Sequence, residues 1–530
     1  MIEKTRTTLS RRSLLAGSAA LAASTAIPTW VIAQSNAPVS ANQPFDFDTL
    51  TEAVKQRAQS PDPGPAKIEP VLKDLNYDGW RKIQYDPERA RWNEDGSRFH
   101  MHAFHPGWLF PDPVELFEVR DGVAAPMSFT TSDFIYHGDL EGRVDPEVPM
   151  AGVAGWRLAY PLNRADTFDE LIAFLGASYF RALGRDNAYG ASARGLALNT
   201  ATGQAEEFPR FSSFYLEPPA PGSTSLTAYA VLDSQSVTGA YRFVISPGEN
   251  TEIDVTARLF FRSDVEQLGV APLTSMFLYD ETNRSRFDDF RPQVHDSNGL
   301  QIRRRGGTVQ WRALANPPRL SSSYFSEDAL SSFGLHQRDR DFASYEDAES
   351  RYERRPSIDV EPIGDWGNGV VRLVEIPSDL EINDNIVAFW VPEDDIRAGD
   401  EREFRYRLIW GMLNPDQRAD LAYVHTTHSG EGGVSGVENN DSSSRKFVVD
   451  FSGGTLDHLS EDNAKSLEPE FNVSNAKIES WSLHKIDGEH IWRLAFDVVP
   501  EGNRPIELSA YVTGYDQRLS ETWSYQWVRS

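Results

Sequence analysis

The stretch 251–261, TEIDVTARLFF, decides the fold class. Ile253, Val255, Ala257 and Leu259 alternate with Asp254, Thr256 and Arg258, the period of a strand with one buried face. Segments of the same kind flank it, among them LTAYAVLD and GAYRFVIS. From Tyr77 onward short strand-like runs such as IQYD and VELFEVRDGVAAPM recur between turn signals. Within the second of these, Asp121-Gly122 suits the type I′ turn of a hairpin. Two stretches read as helices instead. One is 47–59; the other is 167–184, TFDELIAFLGASYFRALG, with Asp169 and Glu170 in its first turn.

The expected architecture is therefore all-β: a large β-sandwich over 34–415, followed by a small one over 445–530. Between them 416–444 is rich in Gly, Ser and Asn and reads as a linker or loop. The last segment holds about seven short alternating strands, which suits an immunoglobulin-like sandwich. No internal repeat emerges.

Residues 1–33 read as a targeting segment. Ser10-Arg11-Arg12-Ser13-Leu14-Leu15 is a twin-arginine signature, followed by the mildly apolar AGSAALAASTAI and by Val31-Ile32-Ala33, which supplies the small residue of a cleavage site. No later stretch is apolar for long enough to span a bilayer as a helix, so no membrane insertion is expected once this signal is removed. The chain has no cysteine, which excludes disulfide staples, thiol nucleophiles and thiolate metal sites. A formal net charge of −27 argues against nucleic acid and against an anionic membrane surface. A neutral partner such as carbohydrate fits that charge, although acidity also serves solubility alone.

Several catalytic signatures are missing: no G-x-S-x-G elbow, no Walker loop and no H-E-x-x-H. His100 and His102 would share one face of a strand, near His105, but no carboxylate accompanies them. Neither a metal nor a cofactor is expected. His425 and His428, in the Gly-rich stretch, read as a solvated pair.

The acidic groups carry more. The stretch 276–300, MFLYDETNRSRFDDFRPQVHDSNGL, reads as a polar loop held between strands, where functional groups concentrate. Asp296 lies in it, before a Ser-Asn-Gly turn signal. In a second stretch, 374–391, Glu381, Asn383, Asp384 and Asn385 precede the apolar run IVAFWV. Two carboxyl groups meeting across a cleft could cleave a glycosidic bond, one protonating the leaving oxygen and the other activating water. Asparagine donors and aromatic neighbours could tune the pKa of Asp384. Aspartate before Asn or Gly is also the commonest turn chemistry, so spacing alone favours turn caps at both positions. Aromatic residues near polar segments, including Trp108, Tyr179, Phe180, Tyr324, Tyr345, Tyr352 and Trp366, could stack on sugar rings or fill the core.

Over essentially its whole length after residue 33, the chain resembles the G/D family of osmoregulated periplasmic glucan biosynthesis proteins. The stretches that carry this include YPLNRADTFDELIAFLGASYFRALGRDNAYGASARGLALNT, GVAPLTSMFLYDETNRSRFDDFRPQVHDSNGL, YEDAESRYERRPSIDVEPIGDWGNGVVRLVEIP and NDNIVAFWVP. The twin-arginine signal is most like that of the D-type member. Asn298 departs from the Asp found in many relatives. The resemblance implies a mutarotase-like large sandwich, a periplasmic location and inverting cleavage or transglycosylation of β-1,2-glucan. It implies Asp384 as general acid and Asp296 as general base, with Tyr179, Arg181, Arg194 and Arg291 as substrate contacts. The stretch 426–445 would close over the cleft. A different reading is a non-catalytic glucan-binding module that guides a membrane glucan synthase.

Overall fold

The computed structural model describes residues 37–529, apart from 40, 66–71, 73–74, 94–95, 329, 417–418 and 434–443. The expected signal segment lies outside the described residues. Strand Thr251–Phe261 sits near the middle of a sixteen-stranded sheet, between Val237–Ser246 and Glu401–Gly411. Its alternation is realised as read: Ile253, Val255, Ala257 and Leu259 are buried, while Glu252, Asp254, Thr256 and Arg258 stay partly exposed. In register, Ile253 faces Ile245 on one side and Leu408 on the other. Such apolar cross-strand pairs stabilise a sheet only when one face is covered.

The cover is a ten-stranded sheet running from Ser321–Glu327 to His100–Phe104. Aromatic rings join the two layers. Phe174 of the second sheet lies 5.3 Å from Phe243 of the first, and Phe180 lies 5.9 Å from Trp410. Buried residues of both sheets form one core.

Helix Phe47–Arg57 forms as expected, capped by the Asp46 side chain, which accepts from the Thr49 amide at 2.6 Å. The Asp121-Gly122 hairpin also forms, with φ of 51° and 73°, the left-handed pair a type I′ turn requires. The helix expected over 167–184 does not form. Those residues make strands Thr167–Leu175 and Tyr179–Ala182, joined through Gly176 and Ala177 at positive φ. Leu171 to Phe174 are all buried and pair with Gly155–Arg164, so tertiary burial overrides the helical spacing.

A second correction concerns 416–444. Tyr423–Glu431 is a strand paired with Arg445–Ser452, so the small sandwich begins in the stretch read as a linker. Its four-stranded layer packs against strands Leu467–Ser474, Ile506–Gly514 and Thr522–Trp527 around Phe447, Phe496 and Trp523. This second layer is not a separate sheet. Thr522–Trp527 pairs in parallel with Val309–Ala313, placing Trp523 opposite Trp311 and extending the large sheet into the small sandwich. At this seam the Arg338 guanidinium donates to both oxygens of Glu521, at 2.7 and 3.0 Å, and lies 3.7 Å from the Trp311 ring centroid.

Candidate active site

The two aspartates are brought together by backbone pairing. Val294–His295 forms a short strand with Phe277–Tyr279, setting His295 opposite Phe277. The Asp296 amide then donates to the Met276 carbonyl at 2.8 Å. From the other side, Asn385 clamps the same strand. Its Oδ1 accepts from the Phe277 amide at 2.8 Å, and its Nδ2 donates to the carbonyls of Phe277 and Ile376. One strand, Phe277–Tyr279, thus holds the residue before Asp296 and the residue after Asp384.

The asparagines were expected to act on Asp384 itself, and they do not. Asn385 serves the backbone, and Asn383 donates to the Ser378 hydroxyl at 3.3 Å. Among the described residues Asp384 has no hydrogen-bond partner. Nor does Asn298-Gly299 form a turn. Asn298 Oδ1 accepts from the Arg338 amide at 3.0 Å, and Gly299 opens strand Gly299–Arg304.

Asp296 is buried, and its carboxyl is pushed up to about 6. Burial is the main cause. Arg355, which donates from Nη1 to Asp296 Oδ1, pulls the value down, and the negative charge of Asp384 pushes it up again. Asp384 is exposed to solvent, yet enough protein surrounds it that its own pKa is raised, against the pull of Arg194, Arg181 and Arg355. His295, buried between Phe277 and Tyr345, has its pKa lowered to about 3 by burial and is a neutral spacer whose Nε2 meets Gln293 Oε1 at 2.6 Å.

The expected contact residues divide. Tyr179 and Arg194 face each other in register on adjacent strands. The buried Arg194 guanidinium stacks 4.7 Å from the Tyr179 ring centroid and donates to Glu206 at 3.0 Å. Burial raises the Tyr179 pKa, Arg194 lowers it and Asp384 raises it, so this pair borders the Asp384 carboxylate. Arg181 is exposed, with no carboxylate partner among the described residues; it lies 4.2 Å from the Tyr189 ring centroid and acts electrostatically on both aspartates. Arg291 is placed otherwise. It pairs with Asp289, Asp347 and Glu381 at 2.7–2.9 Å, which leaves it engaged within the protein and tethers the loop carrying Asp384.

One neighbour escaped sequence reasoning, and a second, Tyr352, is named there only as one of several candidate rings. Arg355, the partner of Asp296, lies 59 residues further along. Tyr352, whose ring lies 4.1 Å beneath Arg355, donates its hydroxyl to Glu381 at 3.3 Å. Nothing in the spacing of YERRP points at Asp296, because the contact exists only after folding. Of the stretch 426–445, residues 426–431 belong to a strand and 434–443 lie outside the described residues. No cluster of metal-ligating side chains occurs among the described residues.

The fold is that of an all-β, two-sandwich protein, in which Asp296 and Asp384 lie among Arg181, Arg194 and Arg355. The family described as periplasmic glucan biosynthesis protein, MdoG, matches residues 45–527, and the chain belongs to it. A protein of Cereibacter sphaeroides named Glucans biosynthesis protein G is 56% identical over 94% of this chain and 91% of its own length. Proteins of the same name from Rhodopseudomonas palustris and Shewanella frigidimarina are 40% and 43% identical, over 98% and 91% of this chain and 100% and 85% of their own lengths. The D-type expectation rests on the twin-arginine signature alone, and these three relatives bear the G-type name. The protein is periplasmic and acts in glucan biosynthesis. Among the described residues no helix is long and apolar enough to cross a membrane.

Proposed function

We propose that this protein controls the glucan backbone by inverting cleavage or transglycosylation of β-1,2-glucan. Asp384, whose pKa is raised by burial and which has no hydrogen-bond partner among the described residues, gives its proton to the glycosidic oxygen as the bond to the anomeric carbon breaks. Water, or a sugar hydroxyl in transfer, attacks that carbon from the opposite face. Its proton passes to Asp296, directly or through a relay of water and substrate hydroxyls, and the product carries the inverted configuration. Arg355 favours the ionised form of Asp296 that a base requires. Tyr179, Arg181 and Arg194 border Asp384 and would hold sugar rings and hydroxyls; Arg291 would act indirectly, through Glu381.

One observation carries this reading: strand Phe277–Tyr279 holds the segments bearing both aspartates, the charge of Asp384 acts on the buried Asp296, and Arg181 and Arg355 act on both. Carboxyl groups perturbed by burial and by specific charged neighbours are candidates for a functional role. The test is incubation of the protein with linear β-1,2-glucan beside Asp384→Asn and Asp296→Asn, with products sized and their anomeric form followed by NMR. Each substitution should lower the rate by about 10²–10⁴-fold. Tight glucan binding with no product from the unsubstituted protein would overturn catalysis and favour a module that guides a membrane glucan synthase.

A further inference from the structure

A cavity of about 410 Å³ opens where the large sandwich meets the small one, and its lining includes neither aspartate. Arg286 and Asn316 border it from the large sandwich, and Arg445, Tyr525, Trp527 and Arg529 from the small one. Among the described residues its lining holds three arginines and no carboxylate. The contrast is sharp in a chain with 79 acidic and 52 basic residues. Three other surface cavities mix the charges or are purely acidic: one has Glu468, Glu470 and Asp516 beside its basic groups, and another has Glu327, Asp328 and Glu393.

The three guanidinium groups are also uncompensated. Arg286 donates to the Asn316 carbonyl at 2.7 Å, and Arg529 to the Gly502 carbonyl at 2.9 Å. Arg445 donates to the Ser429 hydroxyl and the Thr282 carbonyl. All these partners are neutral, and none of the three arginines has an ion pair among the described residues. Elsewhere arginines of this protein pair repeatedly with Asp or Glu, so a cavity ringed by three that do not is a preformed place for an anion. Beside them stands a ring platform: Trp527 is half-buried in the lining, 5.9 Å from the Arg445 guanidinium carbon. The volume is that of a small-ligand site.

We infer that this cavity binds a sugar unit bearing a phosphate ester or a carboxylate, with Arg286, Arg445 and Arg529 on the anion and Trp527 against the ring face. Neither Asp296 nor Asp384 lines this cavity, so binding there does not depend on catalysis by the two aspartates. Calorimetric titration of the full-length protein with glucose 6-phosphate, glucuronate, inorganic phosphate and glucose tests it. At least one of the two anionic sugars should bind saturably, ten-fold or more tightly than either phosphate or glucose alone, and whichever does so identifies the anion. Added salt should weaken that binding. The double variant Arg286→Gln/Arg529→Gln should lose ten-fold or more, and Trp527→Ala should remove the advantage over inorganic phosphate. Asp384→Asn should leave the titration unchanged. Absence of saturable binding by both anionic sugars, equal binding of glucose, or full binding in the double arginine variant would overturn the inference.

Discussion

Arg355 meets the buried carboxylate of Asp296 while its guanidinium carbon lies 4.1 Å from the Tyr352 ring centroid. The ring holds the cation in place and the cation holds the carboxylate charged. Since burial alone drives Asp296 upward and Arg355 opposes it, removing Arg355 should raise that pKa further above about 6. A base must be ionised, so the acid limb of the pH–rate profile should move to higher pH in Arg355→Ala and partly return in Arg355→Lys. An unmoved limb, with activity merely reduced, would show that Arg355 only supports the structure. The same group has a linked effect on folding. Its folded pKa lies above its ordinary 3.8, so its stabilising contribution is present below pH 3.8 and is lost as pH rises through about 6.

Arg291 gathers Asp289, Asp347 and Glu381, and through its hydrogen bonds holds the Asp289 carboxyl down at about 2. Arg291→Ala leaves three carboxylates facing one another. Because these groups are partly solvated, the expected loss is about 2 kcal/mol at neutral pH. A depressed carboxylate stabilises above its ordinary pKa and stops doing so as pH falls through its folded value, so urea unfolding at pH 3 should show a smaller difference than at pH 7. Glu381 also loses its anchor, and a fall in kcat with Asp384 itself intact is the kinetic counterpart.

The seam between the sandwiches depends on Arg338 and Glu521, whose side chains are 2% and 7% exposed. Glu521→Ala strands a buried guanidinium and should cost about 3–5 kcal/mol in denaturant unfolding. Replacing both together, as in Arg338→Met/Glu521→Leu, should cost less than Glu521→Ala alone, because no buried charge is left unpaired.

Gly299 is fixed by close approach rather than by its φ. A Cβ there would stand 2.0 Å from the Trp311 ring, which is itself sandwiched by Arg338. Gly299→Ala should therefore destabilise by about 1–3 kcal/mol through overpacking. Unfolding at the same midpoint as the unsubstituted protein would show that Trp311 can step aside.

The sequence went furthest where a pattern is local. Alternation in 251–261 reported a half-buried strand because a side-chain period of two has one physical meaning there. Asp121-Gly122 reported its turn because few residues tolerate positive φ. The run LIAFL misled, since five apolar residues satisfy a helix face or a buried strand equally and only the neighbour Gly155–Arg164 decides between them. Similarly, the Gly- and Ser-rich composition of 416–444 concealed a strand, Tyr423–Glu431, whose order comes from its partner Arg445–Ser452.

The candidate site divides the same way. Asp296 and Asp384 could be picked out by residue type and by resemblance, but nothing local distinguishes either from a turn-capping aspartate. Asn385 reaching the backbone of Phe277, and Arg355 reaching Asp296, are what bring the charge of Asp384 to bear on Asp296 and give the two carboxylates different surroundings. By itself the sequence determined the all-β class, the acidity and the chemical types available, because these depend on side-chain period and composition. Which carboxylate is buried against a cation, which stands open to solvent, and where three arginines gather without an acid were decided by tertiary structure, because electrostatics and desolvation depend on distances through space.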